Sequence, residues 1–194
     1  MNWKSMVCAI AVLGFSVPAV RAAESDNLAK DPGFEETPEN ADNILAGWDF
    51  YSSKAKNVAV TNNPVHTGNA SVRLWAQGKK DAHLGISQQL EVVPKGKYTF
   101  RAFVMNDKED KLGGTAVGNL GIEWFDAEGT EISRASSKEW TGHLSKMRWE
   151  EFEVSDKAPP YAAKVKFVVY LRDGDKAGEG GFYVDDISIT VKQK

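Results

Sequence analysis

Two adjacent carboxylates, Asp185 and Asp186, sit inside an alternating run of β-branched and aromatic residues from Gly180 to Val191. A period of two reads as a strand, with Phe182, Val184, Asp186, Ser188 and Thr190 on one face and Tyr183, Asp185, Ile187, Ile189 and Val191 on the other. At least one carboxylate therefore points towards something buried, where it must be hydrogen-bonded, paired with a cation or bound to a metal. Other chemistry is sparse. His66, His83 and His143 fall in turns or loops without a metal-ligand spacing such as His-x-x-x-His. Asp173-Gly174-Asp175 imitates the start of an EF-hand loop, but Ala177 stands fifth, Val184 twelfth, and no helical pattern flanks it. Glu123, Asp126 and Asp173 are carboxylates of the kind that a glycoside hydrolase pairs, yet none lies in a hydrolase signature and Asp126 is accounted for by a turn.

The second group of chemistry-bearing residues is aromatic and cationic. In the alternating segment Tyr98–Met105, the apolar set Tyr98, Phe100, Ala102 and Val104 faces a core, which leaves Arg101 and Phe103 outside. In Val165–Arg172, the core set Val165, Phe167, Val169 and Leu171 leaves Tyr170 and Arg172 outside. Glu123 is outward on its strand, as are Arg73 and Trp75 on theirs. Aromatic rings and arginines together on an outer face suit a sugar, whose C–H faces stack on rings and whose hydroxyls hydrogen-bond to a guanidinium fork. Tyr170, Arg172, Arg101, Phe103 and Glu123 form the expected ligand cluster, with Trp75, Arg73 and Trp48 in second place. Trp124 and Trp149 read as core, and Trp140 as a loop residue, either platform or lid.

The elements that must hold these residues are strands. Gly, Pro, Asn and Asp punctuate eight or nine alternating segments: Pro94-Lys95-Gly96 reads as a hairpin turn, as does Asp126-Ala127-Glu128-Gly129. No helix of useful length and no solenoid repeat is visible. This predicts an all-β fold, a jelly-roll β-sandwich of two antiparallel sheets. Lys4, the apolar run Met6–Phe15 and the small-residue pattern before Ala22 read as a secretory signal, giving a leader over 1–22 and a single domain over 23–194. The only cysteine, Cys8, lies in that leader, which argues against a thiol site or a disulfide scaffold. A net charge of −3 with interspersed signs offers no basic stripe for nucleic acid, and no amphipathic helix suggests membrane binding.

Six local patterns then coincide in order: Asp31-Pro32-Gly33-Phe34-Glu35; His66 to Leu74; Ser87-Gln88-Gln89-Leu90 with Pro94 to Phe100; Trp124 to Gly129; Trp149-Glu150-Glu151-Phe152; and Tyr183 to Ile189. Together, from about Asn27 to Val191, they resemble the carbohydrate-binding modules of the galactose-binding-domain-like superfamily, of the type of families 4, 9, 16 and 22. Asp31 stands where that family usually has Asn. The resemblance implies a structural Ca²⁺ between the first and last strands, with Glu35 as one ligand, Asp186 or Asp185 as the other, and carbonyls of the His66–Asn69 turn completing the shell. The alternative is that these carboxylates cap turns or pair with Lys and Arg. It also implies a non-catalytic protein that binds a poly- or oligosaccharide, and the leader makes that protein secreted or periplasmic. An exported scaffold that contacts other exported proteins is the alternative, followed by a jelly-roll polysaccharide lyase or glycoside hydrolase.

Overall fold

The computed structural model describes residues 26–38, 45–51 and 57–193. The leader over 1–22 lies outside the described residues. Ten strands follow in order: β1 (Asp49–Phe50), β2 (Val58–Thr61), β3 (Ser71–Trp75), β4 (His83–Glu91), β5 (Lys97–Asn106), β6 (Val117–Phe125), β7 (Glu131–Ser136), β8 (Glu150–Lys157), β9 (Lys164–Arg172) and β10 (Gly181–Lys192). They form two five-stranded antiparallel sheets. Sheet A has the order β1-β4-β9-β6-β7 and sheet B the order β2-β3-β10-β5-β8. No helix among the described residues is long and apolar enough to cross a membrane.

The expected alternation builds the core between the sheets. Tyr98, Phe100, Ala102 and Val104 of β5 are buried, and they face Val165, Phe167, Val169 and Leu171 of β9 across the interface. Tyr98 meets Trp124 edge-on at 5.4 Å between centroids, and Phe100 meets Phe167 at 5.5 Å. Rings that large, buried in contact, supply much of the apolar stabilisation of a sandwich. Trp124 also donates from Nε1 to Asp156 at 2.8 Å, so its polar edge is satisfied.

Two sequence expectations change in the folded chain. Pro94-Lys95-Gly96 does not make a hairpin within one sheet: β4 pairs with β9, while β5 pairs with β10 and β8, so the turn carries the chain between sheets. The Asp173–Gly180 loop does the same between β9 and β10. The β10 alternation is broken: the register shifts between Asp185 and Ser188, and Asp186 adopts a left-handed φ of 46°. One residue is bulged out of the ladder, so Phe182 and Val184 face the core before it and Ile187 and Ile189 after it.

Candidate functional site

The outer face of sheet A carries a cleft of about 510 Å³. Its floor starts from a small-residue position. A Cβ on Gly121 would stand 2.5 Å from Cε2 of Tyr170, so glycine on β6 is what lets the Tyr170 ring lie across from β9. Tyr51, just after β1, meets Tyr170 edge-on at 4.8 Å. Both phenols then converge on Oε1 of Glu123, which is 1% exposed: Tyr51 donates at 3.1 Å and Tyr170 donates in a closer contact. Arg134 on β7 reaches the same oxygen at 3.4 Å and holds Glu131 with two hydrogen bonds of 2.7 Å. Burial, reinforced by the bond to Glu123, pushes the Tyr170 phenol well above the ordinary tyrosine range. The floor is therefore a carboxylate under two neutral phenols and one guanidinium, with donors and acceptors fixed before any ligand arrives.

The walls are polar. Asn119 and His83 line the cleft, and Ser136 and Ser137 at the end of β7 form its rim. Arg172, at the end of β9, is bonded to Glu139 from the segment after β7. Lys166 stands 5.0 Å above the Phe125 ring and 5.9 Å from that of Tyr51.

The expected ligand cluster is thereby split. Tyr170 and Arg172 line the cleft, with Glu123 buried beneath Tyr170. Arg101 and Phe103 lie on β5, on the outer face of sheet B, on the opposite side of the sandwich. There Arg101 is paired with Glu153 at 2.6 Å, and Phe103 stacks on His66 with centroids 3.9 Å apart and an interplanar angle of 15°. Trp75 is on sheet B too, 5.0 Å beneath Arg73, whose guanidinium is engaged by Asp107 and Asp110 at 2.6 and 2.9 Å. Alternation distinguishes inside from outside but not one outer face from the other. Trp48 is 4% exposed, packed on Phe34. Trp140 is core rather than platform or lid, held edge-on between Phe152 and Phe182. Trp149 is not core: it lies edge-on against His66 on the sheet B face. Tyr51 and Arg134 were not among the expected site residues. Arg134 sits in the exposed strand β7, and Tyr51 follows a two-residue strand too short to show a period.

The carboxylate pair lies at the other sheet. Asp185 is fully buried: Oδ2 accepts from the His66 backbone N–H at 2.8 Å, and Oδ1 from that of Asp186 at 2.7 Å. Burial raises its carboxyl to about 6. Asp186 accepts from the Thr67 hydroxyl at 2.8 Å and lies 2.6 Å from His66 Nδ1. Glu35 accepts from the backbone N–H groups of Asn69 and Ala70 at 2.7 and 3.0 Å, contacts that hold its carboxyl below the usual range. Gly68, at a φ of 66°, is placed where any Cβ would collide with Glu35. One turn, His66–Ala70, thus ties the segment before β1 to the last strand. All these donors to a cation are oxygens, and Glu35, Asp185 and Asp186 outnumber the single imidazole beside them, so the set suits a hard cation in kind. Among the described residues no three acidic or histidine side chains converge, so carbonyls would have to complete a Ca²⁺ shell.

No family model and no curated protein matches the sequence. Solved structures share the fold at low identity. TmCBM61, solved with beta-1,4-galactotriose, is 24% identical with a TM-score of 0.55, over 87% of this chain and 100% of that one. The CBM22-1 xylan-binding domain of Paenibacillus barcinonensis Xyn10C is 17% identical with a TM-score of 0.60, over 89% and 99%. The enzymatically active domain of Bacteriophage CBA120 tailspike protein 4 is 14% identical with a TM-score of 0.58, over 86% of this chain and 21% of that one, so the chain spans about a fifth of its length. The chain therefore has the two-sheet jelly-roll β-sandwich fold that these carbohydrate-binding modules also have.

Proposed function

We propose that the chain is an exported, non-catalytic carbohydrate-binding domain that takes an oligosaccharide, or a stretch of polysaccharide, in the cleft of sheet A. The observation that carries this reading is the Tyr51–Glu123–Tyr170 network beneath an open polar cleft. Hydroxyl-rich ligands need fixed donors and acceptors beside ring surface, and here both are held in place before binding, which lowers the ordering cost of association. The modules that share the fold bind galactotriose or xylan, according to their names, which supports the same class of ligand.

Binding is favoured over catalysis by the state of the floor. A lyase base at Tyr170 would have to become a phenolate against the Glu123 carboxylate, and burial opposes that ionisation. At the carboxylate turn, Glu35 and Asp186 would hold Ca²⁺, with Asp185 hydrogen-bonded beneath them; the ion would supply charge neutralisation and a tie between chain ends about 150 residues apart. Affinity electrophoresis against a broad panel of soluble glycans tests the function. At least one glycan should retard the protein, with an affinity between millimolar and micromolar, or roughly −4 to −8 kcal/mol, and Tyr170→Ala should abolish the retardation. A panel in which no glycan retards the wild type overturns the reading.

A further inference from the structure

The cleft contains two guanidinium groups, and neither is free. Arg134 is held by Glu131 through both Nε and a terminal nitrogen, and it also reaches Glu123. Arg172 has its terminal nitrogen on Glu139. Among the described residues, the site's two arginines face three glutamates, with Lys166 beside Tyr51 as a third cation. Glu123 belongs to the floor and cannot turn away without unpairing both phenols, and Arg134 is fixed beside it by two bonds to Glu131 and one contact to Glu123. Arg172 and Glu139 differ from them: they come from separate segments, are joined through a single terminal nitrogen, and line the cleft about half exposed.

We infer that Glu139 is a specificity-determining residue that selects against acidic glycans: by occupying Arg172 it removes the cleft's one displaceable guanidinium, so the site admits uncharged sugars and turns uronates away. This rests on the carbohydrate-binding reading of the same cleft. The physical basis is competition for one fork. A carboxylate is the natural bidentate partner of an arginine, and in this cleft an intramolecular carboxylate already holds it. A uronate must displace Glu139 and then lie beside it and above Glu123, with like charges opposed in a half-enclosed site. A neutral sugar hydroxyl needs no displacement, since it can accept from the outer N–H groups of Arg172 and donate to the free lone pairs of Glu139.

The test uses the full chain and its Glu139→Gln variant. Each is titrated at low ionic strength with a neutral glycan that the wild type binds and with the same polymer after selective oxidation of its C6 alcohols to carboxylates; for a pentosan, the uronate-substituted polymer takes that place. The wild type should prefer the neutral form by at least tenfold. Glu139→Gln should narrow that preference by at least tenfold, through a gain in affinity for the acidic form that disappears at 0.5–1 M salt, where the Debye length is only about 3–4 Å. Glu139 is half exposed, so the variant is expected to fold, and a melting curve verifies it. Equal binding of both forms by the wild type overturns the inference, as does an unchanged preference in the variant. If no glycan of either kind binds, the carbohydrate reading fails and takes this inference with it, whereas binding of acidic glycans alone overturns this inference only, so the two failures are told apart.

Discussion

Replacing Glu123 by Gln removes a single charge from the centre of the cleft floor and nearly preserves its shape. All three donors meet the same oxygen: the phenols of Tyr51 and Tyr170, and the Arg134 guanidinium at 3.4 Å. A glutamine can keep a carbonyl oxygen there, so the hydrogen bonds persist but lose their ionic character. Bonds to a charged partner contribute about 1.5–3 kcal/mol and neutral ones about 0.5–1.5. Two phenols each weakened by about 1 kcal/mol give a loss of about 2 kcal/mol. Arg134 adds little, because it is half exposed and keeps both bonds to Glu131. For a chain of this size, 2 kcal/mol lowers the melting temperature by roughly 4–8 °C. Thermal unfolding followed by circular dichroism measures that shift directly. The same change loosens the Tyr170 ring over Gly121 and should weaken glycan binding about tenfold. A Tyr51→Phe variant isolates one arm, and the double variant should show a coupling of at least 0.5 kcal/mol. A Glu123→Gln protein that melts within 1 °C of wild type and couples to nothing would refute the claim that a buried charge organises the floor.

Two further outcomes follow from the carboxylate turn. Chelation with EDTA should lower the melting temperature by several degrees, and added Ca²⁺ should restore it, as expected for a loss of about 2–3 kcal/mol when a site held at about 100 times its Kd is emptied; an unchanged melting curve would leave the turn held by hydrogen bonds alone. Asp185, buried without solvent contact, has its carboxyl raised from 3.8 to about 6. A raised carboxyl favours the folded state below the unfolded value and loses that contribution as pH rises through the folded one. In EDTA, the stability of the wild type relative to Asp185→Asn should therefore fall by about 3 kcal/mol between pH 4 and above 6, measured by urea unfolding across that range; a rise over the same window would contradict the assignment.

Much of the fold was legible because side-chain alternation is a local property. The period of two in Tyr98–Met105 and Val165–Arg172 marks the inward residues, and every one of those inward residues is buried. Asp126–Gly129 encodes its own hairpin, because a turn is closed by neighbours in the chain. The outward residue types pointed to a sugar-like ligand; of the residues named for it, Tyr170 and Arg172 line one cleft, with Glu123 buried beneath.

What only the tertiary structure decided is which strands share a sheet. Arg101 and Tyr170 carry the same outward signal in sequence, yet β5 pairs with β10 and β9 with β6, so the two side chains end on opposite faces. Strand partnership is settled by contacts between distant segments, and a two-residue period contains no information about it. The β10 bulge is of the same kind. Alternation assigned Asp185 and Asp186 to opposite faces of an unbroken strand. The His66–Ala70 turn, together with the bond from the Ile187 N–H to the Pro32 carbonyl at 2.8 Å, fixes the bulge that buries Asp185 and leaves Asp186 at the surface. The sequence supplied the carboxylates, and segments more than a hundred residues away determined which of them is buried.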